Sequence, residues 1–167
     1  MSAGTLKLGS TNALGTTAGG TVVSSGAVLD LNGQNYTTAE GLTLNGTGIS
    51  SGGALINSNA TGATYAGLIT LGSASSIIGG TGTIALTNAG TISGAFGLTL
   101  GGASGGSLAS IIGTGAGTLT KQDAGSWTLS GVNTYTGNTT ISGGTLSVSA
   151  DSNLGCLLYT SPSPRDS

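Results

Sequence analysis

Up to residue 155 the chain carries four carboxylates, Asp30, Glu40, Asp123 and Asp151, and two ammonium groups, Lys7 and Lys121, with no histidine anywhere. Paired carboxylates can cleave a glycosidic bond by general acid–base chemistry, often with Lys, Arg or His beside them. Asp30 and Glu40, the nearest pair, stand ten positions apart. Across coils of a repetitive fold that pair could meet, whereas Asp30 and Asp151 could not. The acids are therefore read as solvated structural groups, and no catalytic residue is assigned. Without His, a Ser–His–Asp arrangement is impossible.

Metal and phosphate chemistry fare no better. The only Cys is Cys156, so thiolate-bound zinc or iron–sulfur sites are not expected. Gly79-Gly80-Thr81-Gly82-Thr83 begins a calcium-binding nonapeptide coil, but Ile84 occupies the acidic position. Gly113-Thr114-Gly115-Ala116-Gly117 is rich enough in glycine to cradle phosphate, yet no Gly-Lys-Ser/Thr follows it. No metal and no cofactor is expected. Trp127, Tyr135, Tyr36, Tyr65 and Phe96 could stack on sugars, although lone aromatics at strand positions more often pack. Lys121 is expected to pair at the surface with Asp123 or Asp151, a contact worth about 0–1 kcal/mol. The Thr134-Tyr135-Thr136 step suggests an ice-binding array, but the neighbouring strands do not repeat it.

Charged residues make up 5% of the chain, against roughly a quarter in an ordinary domain. There is no basic patch for nucleic acid, and no apolar run approaches the ~18 residues of a membrane span. Neither nucleic acid nor direct membrane insertion is expected. Helices are disfavoured, because the polar positions hold Gly, Thr, Ser and Asn. The 34 glycines alone could signal disorder, but a mean hydropathy of +0.30 with net charge −2 contradicts it.

Short apolar runs recur along the whole chain, and several alternate with hydroxyls, as in Leu98-Thr99-Leu100 and Trp127-Thr128-Leu129. Period-two alternation sends apolar groups to one face and hydroxyls to the other. Strands are expected at Thr5–Leu8, Thr21–Val23, Val28–Leu31, Leu42–Leu44, Ala54–Ile56, Leu68–Leu71, Ser76–Ile78, Thr83–Leu86, Thr91–Ile92, Leu98–Leu100, Leu108–Ile112, Thr118–Thr120, Trp127–Leu129, Thr139–Ile141 and Thr145–Val148. Regular spacing with Gly and Asn between them fits a sandwich, a barrel or a solenoid. Very short strands and few aromatics favour a solenoid with a narrow aliphatic core. Three strands per coil give roughly 20 to 25 residues per turn, six or seven coils, and a rod about 30 Å long. Glycine pairs such as Gly79-Gly80 and Gly143-Gly144, and Asn32, Asn45 and Asn133, are expected at left-handed corners. At longer range, Gly4–Gly15 matches Gly144–Gly155 at five of twelve positions.

The densest motif runs from Gly117 to Ser149: Gly-Thr-Leu-Thr-Lys from Gly117, Leu-Ser-Gly-x-Asn-Thr-Tyr-Thr-Gly from Leu129 to Gly137, and Gly144-Thr145-Leu146. It resembles the autotransporter-associated β-strand repeat of secreted bacterial passenger regions. Gln122-Asp123 replaces a usual Thr-Gly pair, and Trp127 a usual Leu. The resemblance implies an all-β, right-handed parallel β-helix over residues 1–155, with the repeat at 117–149. Its structural motif residues would be Lys121, Trp127, Asn133, Tyr135, Gly137 and Gly144. It further implies a non-catalytic stalk, extracellular at a bacterial surface, whose partners are the neighbouring coils of its own passenger. An adhesin contacting host or cell-surface glycans is the alternative, and a carbohydrate-active enzyme a more distant one. The absence of Cys before residue 156 fits a chain that threads an outer-membrane pore unfolded.

Residues 156–167 differ in kind, since both prolines, the one Cys and the one Arg fall there. Cys-Leu-Leu-Tyr-Thr-Ser-Pro-Ser-Pro-Arg-Asp also reads as the translation of a transposase sequencing adapter. This tail is expected to be non-native and disordered, and excluded from the fold. Met1-Ser2-Ala3 leads into Gly4-Thr5-Leu6 with no charged or apolar leader, so the chain is expected to be cut from a larger reading frame at both ends.

Overall fold

Alternating aliphatic residues build parallel strands that stack on the strand one turn later. The computed structural model describes residues 3–155; the expected adapter-derived tail lies outside them. Seventeen strands occur among the described residues. They are β1 (Gly4–Lys7), β2 (Thr21–Val23), β3 (Ala27–Asp30), β4 (Asn35–Tyr36), β5 (Leu42–Gly46), β6 (Leu55–Ile56), β7 (Ala63–Tyr65), β8 (Ile69–Ile78) and β9 (Ile84–Leu86). Then follow β10 (Thr91–Ile92), β11 (Leu98–Gly101), β12 (Gly105–Leu108), β13 (Ile111–Ile112), β14 (Leu119–Lys121), β15 (Ser126–Leu129), β16 (Thr139–Ile141) and β17 (Thr145–Val148). Ile49–Ser51 and Asp151–Leu154 form single 3₁₀ turns.

Every pairing is parallel. One face stacks β1-β3-β6-β8-β11-β14-β16, with β2 and β5 leading into β8 beside it, and a second stacks β4-β7-β9-β12-β15-β17. A short third face pairs β10 with β13. Side chains and backbone groups bonded between adjacent coils are 19 to 30 positions apart. The chain is a β-solenoid of seven coils along its longest ladder, so a Gly-rich backbone satisfies its amides through neighbouring turns.

Inward side chains form columns along the axis. On the first face Leu6, Leu29, Leu55, Ile77, Leu100, Lys121 and Ile141 stand in register. On the second, Tyr36, Tyr65, Leu86, Leu108, Leu129 and Val148 do the same. Leu29, Leu55, Ile77 and Leu100 are fully buried, each worth about 1.5–3 kcal/mol relative to exposure. The alternation read from the sequence holds: Leu98 and Leu100, like Trp127 and Leu129, are buried, while Thr99 is half-buried and Thr128 exposed.

Three differences from the expected strands have local causes. Leu68–Leu71 and Ser76–Ile78 merge into β8, which passes straight across a corner that the preceding coil turns between β5 and β6. Small residues permit this. Asn45 packs over Gly72 and bonds the Val23 carbonyl, while Ser73 Oγ accepts from the Gly46 amide at 2.8 Å. Strands β4 and β7 were not expected, because their main apolar signals are single residues, Tyr36 and Tyr65, whose rings stack with centroids 5.5 Å apart. The start of β12 was missed because Gly105-Gly106 carries no apolar signal.

The corner expectations divide similarly. Asn32 (φ 48°) and Gly144 (φ 63°) are left-handed, whereas Asn45, Asn133, Gly79, Gly80 and Gly143 are not. Gly79 is required for space instead, since a Cβ there would meet the Gly105 backbone of the next coil.

Candidate functional site

The motif residues between Lys121 and Gly144 lie on the last two coils and hold adjacent turns together. Lys121 stands at the end of β14, where the inward column has been Leu or Ile in every described coil before it. Its stem continues the aliphatic column and its ammonium emerges at the corner. There it donates to the carbonyls of Gln122 (2.6 Å), Asp123 (2.9 Å) and Gly143 (3.0 Å). Three donors meet three acceptors, and the last belongs to the following coil. Lys121 is fully buried, so the expected surface ion pair with Asp123 or Asp151 is not what it makes. Burial pulls its pKa below the ordinary lysine value, and the nearby Asp123 carboxylate opposes that pull. The Asp123 carboxylate meanwhile accepts from the Gly102 amide at 2.8 Å.

Trp127 is fully buried beneath β17, and its indole N–H donates to the Gly101 carbonyl of the preceding coil at 2.9 Å. It lies in register with Gly106, whose missing side chain leaves room for the ring. Asn133 joins three coils. Its Oδ1 accepts from the Ile112 amide at 2.7 Å and its Nδ2 donates to the Asn153 carbonyl at 2.6 Å. Asn153 then donates to the Gly131 carbonyl and accepts from the Ser149 and Ala150 amides. Tyr135 is buried and shares a 2.7 Å hydrogen bond with Thr139, and burial raises its pKa. At Gly137 and Gly144 the backbone of the coil below lies too close for a side chain. Gly101, Gly106 and Asn153 were not singled out from the sequence. Asn153 could have been found from its spacing of one coil after Asn133.

The carboxylates require a correction. Asp30 and Glu40 are not solvated; they are 3% and 2% exposed. Asp30 accepts from the Asn32 and Ser58 amides and the Ser58 hydroxyl (2.6 Å), with Lys7 at 3.9 Å. Glu40 accepts from Thr21 (2.6 Å) and Tyr36 (2.8 Å), and its backbone carbonyl accepts from Tyr65 at 2.8 Å. Each acid is committed to its own corner, and the two share no partner. Desolvation, reinforced by Glu40, pushes the Tyr36 hydroxyl up to about 12 and raises that of Tyr65 as well. The buried aromatics, Trp127, Tyr36, Tyr65 and Tyr135, cannot stack on a sugar; Phe96 is exposed.

The second face also carries an outward groove of about 360 Å³, whose wall includes Thr83, Ala85, Ser104, Ser107, Ser126 and Thr128. Gly106 also lines it.

The fold and these coil-joining residues define a β-solenoid built on a passenger-type repeat. Residues 119–148 match the passenger-associated transport repeat family, within the 117–149 expected, so the chain carries an autotransporter passenger repeat. A stretch of 37 residues is 57% identical to the adhesin BmaC autotransporter of Brucella suis biovar 1 (strain 1330). That stretch is 22% of this chain and 1% of the relative's length. No solved structure matches the chain.

Proposed function

We propose that this segment is a non-catalytic stalk of an autotransporter passenger, secreted or displayed at the bacterial surface, which supports passenger folding and holds distal regions away from the cell. The observation that carries this reading is the direction in which the motif residues point. Trp127 and Asn133 reach back to the preceding coil, while Lys121 and Asn133 reach forward to the following one. The repeat joins coils rather than presenting groups to a substrate. Asp30, Glu40 and Asp123 are likewise engaged in holding corners. In this reading export is vectorial. Each emerging coil adds to the free end of the rod, and its burial and hydrogen bonding outside the cell help to draw the chain out.

The test is to place residues 3–155 in a passenger between a pore-forming barrel and a distal epitope. Surface display should fall several-fold when Leu98→Asp and Leu119→Asp break the core. Equal display from the disrupted chain would end the stalk reading.

The hydroxyl-lined groove on the second face favours a second reading, an adhesin-type module contacting neutral glycans, in keeping with the similarity to an adhesin. Glycan binding that Ser107→Lys and Thr128→Lys abolish, with the fold intact, would promote it above the stalk.

A further inference from the structure

The outward positions of the second face form two lines parallel to the rod axis. Ladder register sets Ala85, Ser107 and Thr128 in one line, on β9, β12 and β15. Two residues earlier on each coil, Thr83, Gly105 and Ser126 form the other. Their neighbours Ile84, Leu86, Leu108, Trp127 and Leu129 are buried, so alternation turns both lines to solvent. The groove of about 360 Å³ takes its lining from these three coils, and that volume suits a small ligand.

These coils lie within the rod, away from either end. β9 pairs with β7 and β12, β12 with β9 and β15, and β15 with β12 and β17. Their ladders occupy the backbone, so an extended peptide finds no edge to join. Only side chains are on offer. The hydroxyls of Thr83, Ser107, Ser126 and Thr128 bond no group among the described residues, whereas Ser104 donates to the Thr81 carbonyl at 2.8 Å. Other hydroxyls are spent on joining coils, as Ser110 is on the Asn88 carbonyl and Ser142 on that of Lys121. Each free hydroxyl can donate one bond and accept two, which matches a ligand carrying hydroxyls of its own.

Charge narrows the choice. Residues 41–120 contain no Asp, Glu, Lys, Arg or His, and the corner leading into β15 carries Asp123, which is exposed. An ionic ligand would lose water here without meeting a countercharge, and an acidic one would also face that carboxylate.

We propose that the groove binds an uncharged, straight oligosaccharide laid along the rod axis, with one pyranose ring over each of β9, β12 and β15. Coils repeat every ~4.8 Å, close to the advance of a pyranose chain joined through equatorial bonds. Successive rings therefore meet the lines of hydroxyls in a constant register, while axially linked chains curve away from them. Ala85 offers a methyl group to the apolar face of the ring at the β9 end. The proposal deepens the glycan-contact reading and rests on it; the stalk reading does not depend on it.

The experiment titrates the 167-residue protein with β-1,4-linked gluco- and manno-oligosaccharides of two, three and four sugars, followed by the amide shifts of Ser107 and Thr128. Affinity should rise about tenfold from disaccharide to trisaccharide, the worth of one or two added hydrogen bonds, and then level. Thr128→Lys fills the β15 end, so it should return the trisaccharide to disaccharide affinity and leave the disaccharide bound. Ser107→Lys, at the centre, should abolish both. An oligogalacturonate of equal length should bind at least about tenfold more weakly, and added salt should leave the neutral series unchanged. Equal affinity for two and three sugars, or loss of both with Thr128→Lys, would overturn the axial placement while glycan contact stood. Binding by neither series would overturn the proposal outright, and would end the adhesin reading as well only if other neutral glycans also fail to bind.

Discussion

Gly106 lies directly opposite Trp127 across the β12–β15 ladder, and a methyl group added there would fall 3.0 Å from the indole ring while running into the Ile84 carbonyl of the coil below. The large inward ring of one coil thus depends on the bare backbone of the coil before it. Neither residue explains itself alone.

Gly106→Ala should accordingly lower stability by about 1–3 kcal/mol, as overpacking does in a close-packed interior. Backbone on one side and a locked indole on the other leave little room for relaxation. Chemical denaturation should show a reduced midpoint with an unchanged slope, and Trp127 fluorescence should report the displaced ring. An unaltered midpoint would show that the coils separate freely at this level.

Lys121→Met keeps an unbranched apolar stem above Leu100 but leaves the Gln122, Asp123 and Gly143 carbonyls without their donor. A loss of about 1–3 kcal/mol is expected, with faster hydrogen exchange concentrated in β16 and β17. The pH dependence has a definite sign. Because the folded lysine is held below its ordinary value of 10.5, the unfolded chain binds this proton more tightly. Stability therefore rises with pH from the folded value up to 10.5, and the Met variant should lack that rise.

The tyrosines act in the opposite sense at higher pH. Tyr36 is raised from 10.0 to about 12, and Tyr65 and Tyr135 are raised too. Folding favours their neutral forms, so this contribution is complete below pH 10 and is lost as pH climbs through about 12. Alkaline unfolding should coincide with the appearance of tyrosinate absorbance. Ionisation of all three described tyrosines at their ordinary value, ahead of unfolding, would refute the buried placement of Tyr36 and Tyr65.

Asn133→Ala should cost about 2 kcal/mol, because it strips a partner from the Ile112 amide and from the Asn153 carbonyl inside the rod. Exchange of the Ile112 amide, and fraying of the turn at Asp151–Leu154, should increase together. If only one of the two changes, the side chain is not joining three coils.

Much of this architecture was written in local pattern. Leu-Thr-Leu at 98–100 and Trp-Thr-Leu at 127–129 specify strands with one apolar face, because successive side chains on a pleated strand point to opposite sides. Scarce charge removed the polar face that helices need, and the Gly-Thr-Leu to Leu-Gly recurrence marked a long period. What the sequence could not decide was which residue faces which across a turn. Lys121 looked like a surface charge because a lysine's usual place is in water; only the coil below, with Leu100 in the same column, and the carbonyl of Gly143 above make an interior site that satisfies it. Asp30 and Glu40 looked solvated for the same reason, yet Ser58 and Tyr36 reach them from positions 28 and four residues away. Periodicity is set by neighbours along the chain, whereas burial and hydrogen-bond satisfaction are set by neighbours one turn distant, and those exist only once the coils have closed.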